Sequence, residues 1–531
     1  MKQSLHLSAV LLIIQRRLLT TLMLFTALLL LSEPAVAQIN ATDSEDIGLT
    51  QLRAENPGLT EGVGIKGQIV EGYNPGGTDR YVPNPADPFV SGVAVNIFAS
   101  PSTAVLSEIT STHASFSARH FYGSGGAARD LGLGGISIDS YVATPSPVPN
   151  DNTPTVDWLN FNVFNGNRDP NLSEFDTSTV SSHSYIFSSD PSGQLPSLMQ
   201  RLDHIINETD AAVVVGSSNG GSVPAAWAPA YNVIAVGLSR GIHGSGLTTT
   251  YGSGRVAIDI VAPAPSASTA TPAVAGAVAI LKDAADGSNA STSEVIRATL
   301  LAGATKGADD INGTWSRTTT QPLDQVFGAG ELNILNSYNI QQSGEFDGGA
   351  LTPVSLPGFS GWDYENSLEV NGQRLYEFEV TSGNQLEDFS VVLAWNLNVV
   401  DNGFSPFFFS PQAQLANLSL ELLDSSGTVV DSSVSAIDNV EHVFQQTLAA
   451  GVYQLRVSND NGFASDYGLA WRGDQVAVAL LGDANLDGVV NFLDIPAFIS
   501  ALSSGAYLEE ADCNEDGIVN FLDIPAFIAI L

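Results

Sequence analysis

Two sets of residues in this chain of 531 carry chemistry in their types and spacing. The first is an oxygen-donor loop written twice, as Asp483-Ala-Asn485-Leu-Asp487-Gly488-Val489-Val-Asn491-Phe-Leu-Asp494 and Asp512-Cys-Asn514-Glu-Asp516-Gly517-Ile518-Val-Asn520-Phe-Leu-Asp523. Oxygen ligands at loop positions 1, 3, 5, 9 and 12, with a glycine at 6 for the sharp turn, are what a hard cation requires of a chain that wraps around it. Asp483, Asn485, Asp487, Asn491 and Asp494 with the Val489 carbonyl form one cage; Asp512, Asn514, Asp516, Asn520 and Asp523 with the Ile518 carbonyl form the other. Two Ca2+ sites are therefore expected, and near-identity of the copies argues against a merely solvated turn. The second set centres on Ser268, in Ser266-Ala-Ser268-Thr-Ala-Thr-Pro-Ala-Val-Ala-Gly276. Small side chains let a helix start tightly against a sheet. The hydroxyl then sits where backbone N–H groups face developing negative charge, a geometry that makes a nucleophile.

Positioning such groups takes several elements, and the chain is long enough for three or four domains of roughly 100 to 200 residues each. Residues 38–345 alternate short apolar runs (Gly67–Glu71, Ala211–Val215, Asn232–Gly237, Ile258–Val261) with helical stretches (Leu195–Ile206, Ala273–Ala285). That alternation predicts an α/β domain with a parallel sheet covered on both faces, and chemistry at the carboxyl ends of its strands. Residues 346–472 change to period two, as in Leu418–Leu422 and Tyr453–Val457, which predicts an antiparallel β-sandwich. Nothing in it points to chemistry, and it reads as a spacer or stability module. Residues 473–531 hold the two acidic loops, each followed by Ile-Pro-Ala-Phe-Ile, in a small α module.

Charge and cysteine usage narrow the setting. With 56 acidic against 19 basic residues and a formal charge of −37, the chain lacks the Lys/Arg clusters that nucleic acid or anionic membrane surfaces demand. Arg16-Arg17, an apolar run from Leu18 to Leu31, and Ala35-Val-Ala37 predict a signal peptide over 1–37, cleaved before Gln38, and hence a secreted, extracellular or cell-surface protein. Cys513 stands alone, so no intrachain disulfide forms and the fold relies on its cores and on metal. No Lys or Arg follows Arg472, and without a cation the carboxylates of the last module repel one another.

The stretch Ser266–Gly276 resembles the Gly-Thr-Ser-Met-Ala-Thr-Pro-His-Val-Ala-Gly signature of subtilisin-like serine peptidases. Thr112-His113-Ala-Ser-Phe-Ser-Ala118 resembles that family's His-Gly-Thr-His-Val-Ala-Gly, and Val213-Val-Val-Gly-Ser-Ser-Asn219-Gly-Gly resembles the strand and turn bearing its oxyanion asparagine. The resemblance implies Ser268 as nucleophile, His113 as general base and Asn219 as oxyanion donor. The family's Asp at the end of the first strand is replaced by Glu71, in Gln68-Ile-Val-Glu71-Gly72, with Asp79 as the fallback acid. The order acid, base, asparagine, serine is a subtilisin order. The stretch between Gln38 and the first strand is too short for the usual folding prodomain. The link from Pro263 to Ser268 lacks a customary substrate-binding segment, and His120, His183, His204, His243 and His442 show no metal-ligand spacing.

The C-terminal segment resembles dockerin domains, whose loops place Asp rather than Glu at position 12. Dockerins dock on cohesins through polar residues at positions 10 and 11. Phe492-Leu493 and Phe521-Leu522 stand there instead, which departs from standard cohesin docking and favours internal packing. The resemblances imply a monomeric, secreted serine endopeptidase acting on protein or peptide substrates, with a calcium-dependent module for a cohesin-like or cell-surface partner. The alternative is a catalytically degenerate peptidase fold serving as an extracellular adhesion or scaffold protein.

Overall fold

The computed structural model describes residues 47–72, 81–98, 110–132, 137–143, 172, 175–187, 193, 195–403, 409–478, 480–505 and 507–531. The signal peptide and the fallback acid Asp79 lie outside these residues. Among the described residues no helix is long and apolar enough to cross a membrane.

The α/β unit opens with helix α1 (Leu49–Glu55) and strand β1 (Lys66–Gly72), then β2 (Val95–Phe98), α2 (Thr112–Phe121), β3 (Ile138–Ala143) and β4 (Thr179–His183). It continues through α3 (Leu195–Thr209), β5 (Ala212–Gly216), β6 (Ile234–Leu238), β7 (Ile260–Ala262), α4 (Ala267–Ala285), α5 (Ser293–Ala302) and α6 (Ile334–Gln342). The strands form one seven-stranded sheet in the order β2-β3-β1-β4-β5-β6-β7, every pair parallel. Its strands read as unbroken apolar runs because both faces are covered. Val214 points into the cluster holding Val274 and Val278 of α4, while Val213 and Val215 point into the cluster holding Leu198, Leu202 and Ile206 of α3.

From β1 the chain moves to β2 and β3 on one side of the sheet and then crosses to β4 on the other. The order therefore reverses between β1 and β4, and a crevice opens outside their carboxyl ends.

The second unit packs two sheets. One runs β8 (Ser360–Leu368), β15 (Ser465–Ala477), β10 (Asn384–Ala394) and β13 (Val440–Leu448) in spatial order. The other places β9 (Gln373–Val380) beside β14 (Gly451–Asn461), β11 (Asn417–Asp424) and β12 (Val429–Ser433), with Val354–Ser355 pairing parallel to β9 as the one exception to antiparallel pairing. Trp395, Trp471, Phe389 and Leu420 fill the space between the sheets.

This unit packs directly on the α/β unit. Trp362, Val392, Ala394, Val440 and Ala470 belong to the same apolar cluster as Val278, Ile296 and Leu300 of the α/β unit. A Cβ on Gly468 of β15 would lie 2.6 Å from the Glu294 carbonyl carbon and the Val295 nitrogen, so only glycine lets the strand reach the start of α5. Polar groups at the joint are paired too: Asn232 Nδ2 donates to the Leu397 carbonyl at 3.0 Å, and Leu397 N donates back to Asn232 Oδ1 at 2.7 Å. The trace of this contact in the sequence lies in β10, where Val391-Val-Leu-Ala394 departs from period two and is buried throughout, as a strand covered on both faces must be.

In the last segment, α7 (Ile495–Ser504) and α8 (Ile524–Ile530) pack face to face. Phe498 stacks on Phe527 with centroids 3.8 Å apart and planes 7° from parallel. These residues occupy the same place in the two repeats, so the halves are related by a local pseudo-twofold.

Candidate active site and cation loops

Glu71 lies next to the end of β1, in register with Val142 of β3 and one residue past Val70, which pairs with His183 of β4. It is 1 % exposed. Its Oε2 lies 3.1 Å from Nδ1 of His113. Ser111 caps α2 by accepting a hydrogen bond from Ala114 N at 2.9 Å, which sets His113 in the first turn with its ring open to solvent. The buried carboxylate thus fixes the imidazole through Nδ1. Each of the other described histidines is buried. His183 contacts Ser181 Oγ at 2.9 Å, and burial pushes its pKa down to about 3, which keeps it neutral.

Ser268 stands in the first turn of α4, immediately after Ala267. The helix start is fixed by Ser266 N donating to Thr269 Oγ1 at 3.2 Å and by Ala267 N donating to Asn219 Oδ1 at 2.8 Å. Because an amide N–H must meet an acceptor, that bond fixes the Asn219 carboxamide with its oxygen toward the helix and its NH2 turned outward. The helix also contains Pro272, which has no N–H to offer the Ser268 carbonyl four residues back. Ser184, the residue after β4, fills that gap by donating its hydroxyl to the Ser268 oxygen at 3.1 Å. The serine backbone is thereby tied to the end of the strand next to Glu71. Among the described residues no hydrogen bond joins the Ser268 hydroxyl to His113. Such bonds are often loose before substrate binds.

Four sequence-selected residues therefore gather at the carboxyl edge of β1, β4 and β5: Glu71 and His113 in direct contact, Ser268 and Asn219 linked through the helix start. Sequence reading missed two neighbours. Ser184 is one, and no motif marks it. The other is Tyr185, whose ring packs edge-on against Trp227 with ring centres 6.3 Å apart. Burial and the Glu71 charge push the Tyr185 pKa up. Asp259 holds structure, as its sequence context suggests, pairing with Arg297 at 2.6 Å and accepting from Ala235 N at 2.8 Å.

The two acidic loops repeat each other bond for bond. Asp483 accepts from Asp487 N at 3.0 Å and Gly488 N at 2.7 Å, and Asp512 accepts from Asp516 N at 3.1 Å and Gly517 N at 2.8 Å. Asp494 accepts from Asn485 N and Asn491 N, as Asp523 does from Asn514 N and Asn520 N. Gly488 and Gly517 have φ of 83° and 84°, the left-handed turn that bends each loop. Asp483, Asp494, Asp512 and Asp523 are all buried in a module whose charged side chains are all acidic. An all-oxygen donor set of this kind suits a hard divalent cation. The apolar pairs do not pack inside, contrary to the favoured reading of their sequence. Phe492 is 74 % exposed and Phe521 79 %, with Leu493 and Leu522 beside them. The short module has room in its core for the stacked phenylalanines but not for loop residues on the opposite side.

Residues 481–531 match the Dockerin type I domain family. No curated protein matches the chain. Among solved structures, the MycP3 protease from the type VII (ESX-3) secretion system is similar at 12 % identity and TM-score 0.34, over 57 % of this chain and 89 % of that one. MycP1 from the ESX-1 type VII secretion system is similar at 14 % identity and TM-score 0.35, over 57 % and 87 %. The pre-peptidase C-terminal domain of a collagenase from Bacillus anthracis is similar at 13 % identity and TM-score 0.15, over 23 % and 93 %.

Proposed function

We propose that the chain is a secreted subtilisin-like serine endopeptidase carrying a calcium-dependent docking module, organised as a signal peptide (1–37), a peptidase domain (38–345), a β-sandwich (346–472) and a dockerin-like domain (473–531). The observation that carries this reading is the buried Glu71 carboxylate, 3.1 Å from His113 Nδ1 at the crevice between β1 and β4. In the proposed reaction His113 Nε2 takes the proton of Ser268 as its oxygen attacks the peptide carbonyl. Glu71 holds the tautomer protonated on Nδ1, in which Nε2 is the basic nitrogen, and stabilises the imidazolium that forms. The Asn219 NH2 and the Ser268 N–H at the helix start donate to the tetrahedral oxyanion. The imidazolium then protonates the leaving amine, and water hydrolyses the acyl-enzyme by the same steps.

Calcium would be held by Asp483, Asn485, Asp487, Asn491, Asp494 and the Val489 carbonyl, and by Asp512, Asn514, Asp516, Asn520, Asp523 and the Ile518 carbonyl. It supplies the positive charge that lets these carboxylates stay close. With Phe492-Leu493 and Phe521-Leu522 exposed, the cohesin-like or cell-surface partner would present an apolar face.

The test is labelling of the full chain with a fluorophosphonate probe together with casein hydrolysis. Wild type is expected to label and cleave, and Ser268→Ala to do neither. A wild type that neither labels nor cleaves rejects the enzyme reading. It would favour a peptide-binding scaffold, the reading to which the absent bond between Ser268 and His113 lends weight.

A further inference from the structure

The backbone of Ser268 has two soft dihedrals, and the peptide plane on each side of its Cα is held by a side-chain hydroxyl. Thr271 holds the plane before it, donating to the Ala267 carbonyl at 2.7 Å. Ser184 holds the plane after it, donating to the Ser268 carbonyl at 3.1 Å. With both planes set, the direction of the Ser268 Cβ is set too, and its hydroxyl chooses among three staggered positions. The first of these planes also carries the Ser268 N–H.

The two bonds differ in what stands behind them. At Ala267, the N–H of Thr271 lies four residues on, the spacing at which an α-helix bonds its own carbonyls. At Ser268 the residue four on is Pro272, which has no N–H and whose ring crowds that carbonyl. The Ser184 hydroxyl therefore supplies the donor that the helix itself lacks, and it does so from a buried residue immediately after β4.

Three elements converge at this point. A Cβ on Gly216, the last residue of β5, would lie 2.7 Å from Thr271 Oγ1 and 3.6 Å from each of the Ala267 and His183 carbonyl oxygens. The start of α4 thus sits directly on the carboxyl ends of β4 and β5. Val70 of β1 pairs with His183 of β4, and the next residues along these two parallel strands are Glu71 and Ser184. The strand pair that presents the acid continues, one residue later, into the donor that holds the serine.

We propose that Ser184 is a positioning residue for the nucleophile. Its bond to the Ser268 carbonyl locks the Ser268 backbone to the strand end beside Glu71, so that the Ser268 hydroxyl and N–H keep the positions from which they meet His113 and the oxyanion. This rests on the endopeptidase reading above. Ser184 touches no substrate and moves no proton; it acts through Ser268. A displacement of about 1 Å in such a constellation costs on the order of 10² in rate.

The test is the second-order rate of fluorophosphonate labelling, together with steady-state hydrolysis of a peptide substrate, by the full chain. Ser184→Ala is expected to lower the labelling rate and kcat about 10- to 100-fold while KM stays within about twofold. Ser184→Ala combined with Pro272→Ala returns a helix N–H to the Ser268 carbonyl without returning the side chain, and should recover most of the lost rate. That recovery separates the missing donor from a general loss of packing, and melting temperatures of both variants show that each is folded. Ser184→Ala labelling as fast as wild type, a loss carried in KM with kcat kept, or a double variant as slow as Ser184→Ala overturns this proposal alone. A wild type that does not label overturns the endopeptidase reading and this proposal with it.

Discussion

The α/β unit and the C-terminal module both hold polar atoms at fixed points, and they do so with opposite resources. Around Glu71, His113 and Ser268 the positioning elements are strands covered on both faces and the helices that cover them, continuous with the core of the second unit. Around the acidic loops the apolar support is a small cluster built on Phe498, Phe527, Ala511 and Val519, and the apolar loop residues Val489, Phe492, Leu493, Ile518, Phe521 and Leu522 are exposed. A large core can fix a catalytic geometry with no ligand present. A small one leaves that task to the cation, and its stability is then inseparable from binding.

That contrast breaks first if the α/β site is not preorganised. Ser268→Ala should abolish probe labelling. Glu71→Gln, which leaves the shape but reverses the hydrogen bond to His113, should lower kcat by about 10³ to 10⁴ with little change in KM. Asn219→Ala, which removes one oxyanion donor, should cost about 10² to 10³ in kcat. Steady-state kinetics on a peptide substrate decides all three, and a Glu71→Gln enzyme as fast as wild type would remove the acid from the scheme.

Chelation separates the two regions more directly. Scanning calorimetry of the full chain in EGTA should show the transition of the C-terminal module lost and that of the larger body retained, with probe labelling unchanged. Loss of both transitions would mean that calcium also supports the α/β unit.

The joint has its own pH signature. Burial, with Asp466 and Asp210 nearby, raises the pKa of Glu294 well above its usual 4.5, and burial raises that of Asp466 as well. The folded chain therefore holds protons that the unfolded chain releases as pH rises above the ordinary carboxylate range. Stability from these groups is fullest below about pH 4.5 and declines as pH climbs through the folded-state values. Melting temperature measured across pH should follow that decline in wild type, and Glu294→Gln should flatten it. The smallest effect belongs to Phe492→Ala with Phe521→Ala: both side chains are exposed, so stability should change by less than about 0.5 kcal/mol each while partner binding is lost.

The sequence by itself determined the parallel sheet, the antiparallel sheets and the acidic loops, and it singled out the four residues proposed to act at the crevice. Each is written in local terms: unbroken apolar runs, alternation, ligand spacing, a short motif at a strand end or helix start. Even the substitution of Glu71 for an aspartate was legible, as was the structural duty of Asp259. Only the tertiary structure decided that Ser184 replaces the donor missing at Pro272, that the antiparallel sheets share a core with the α/β unit, and that Phe492 and Phe521 face outward. These outcomes join residues far apart in the chain or depend on how much volume a core can hold. Periodicity reports which side of an element is apolar and is silent about what that side meets.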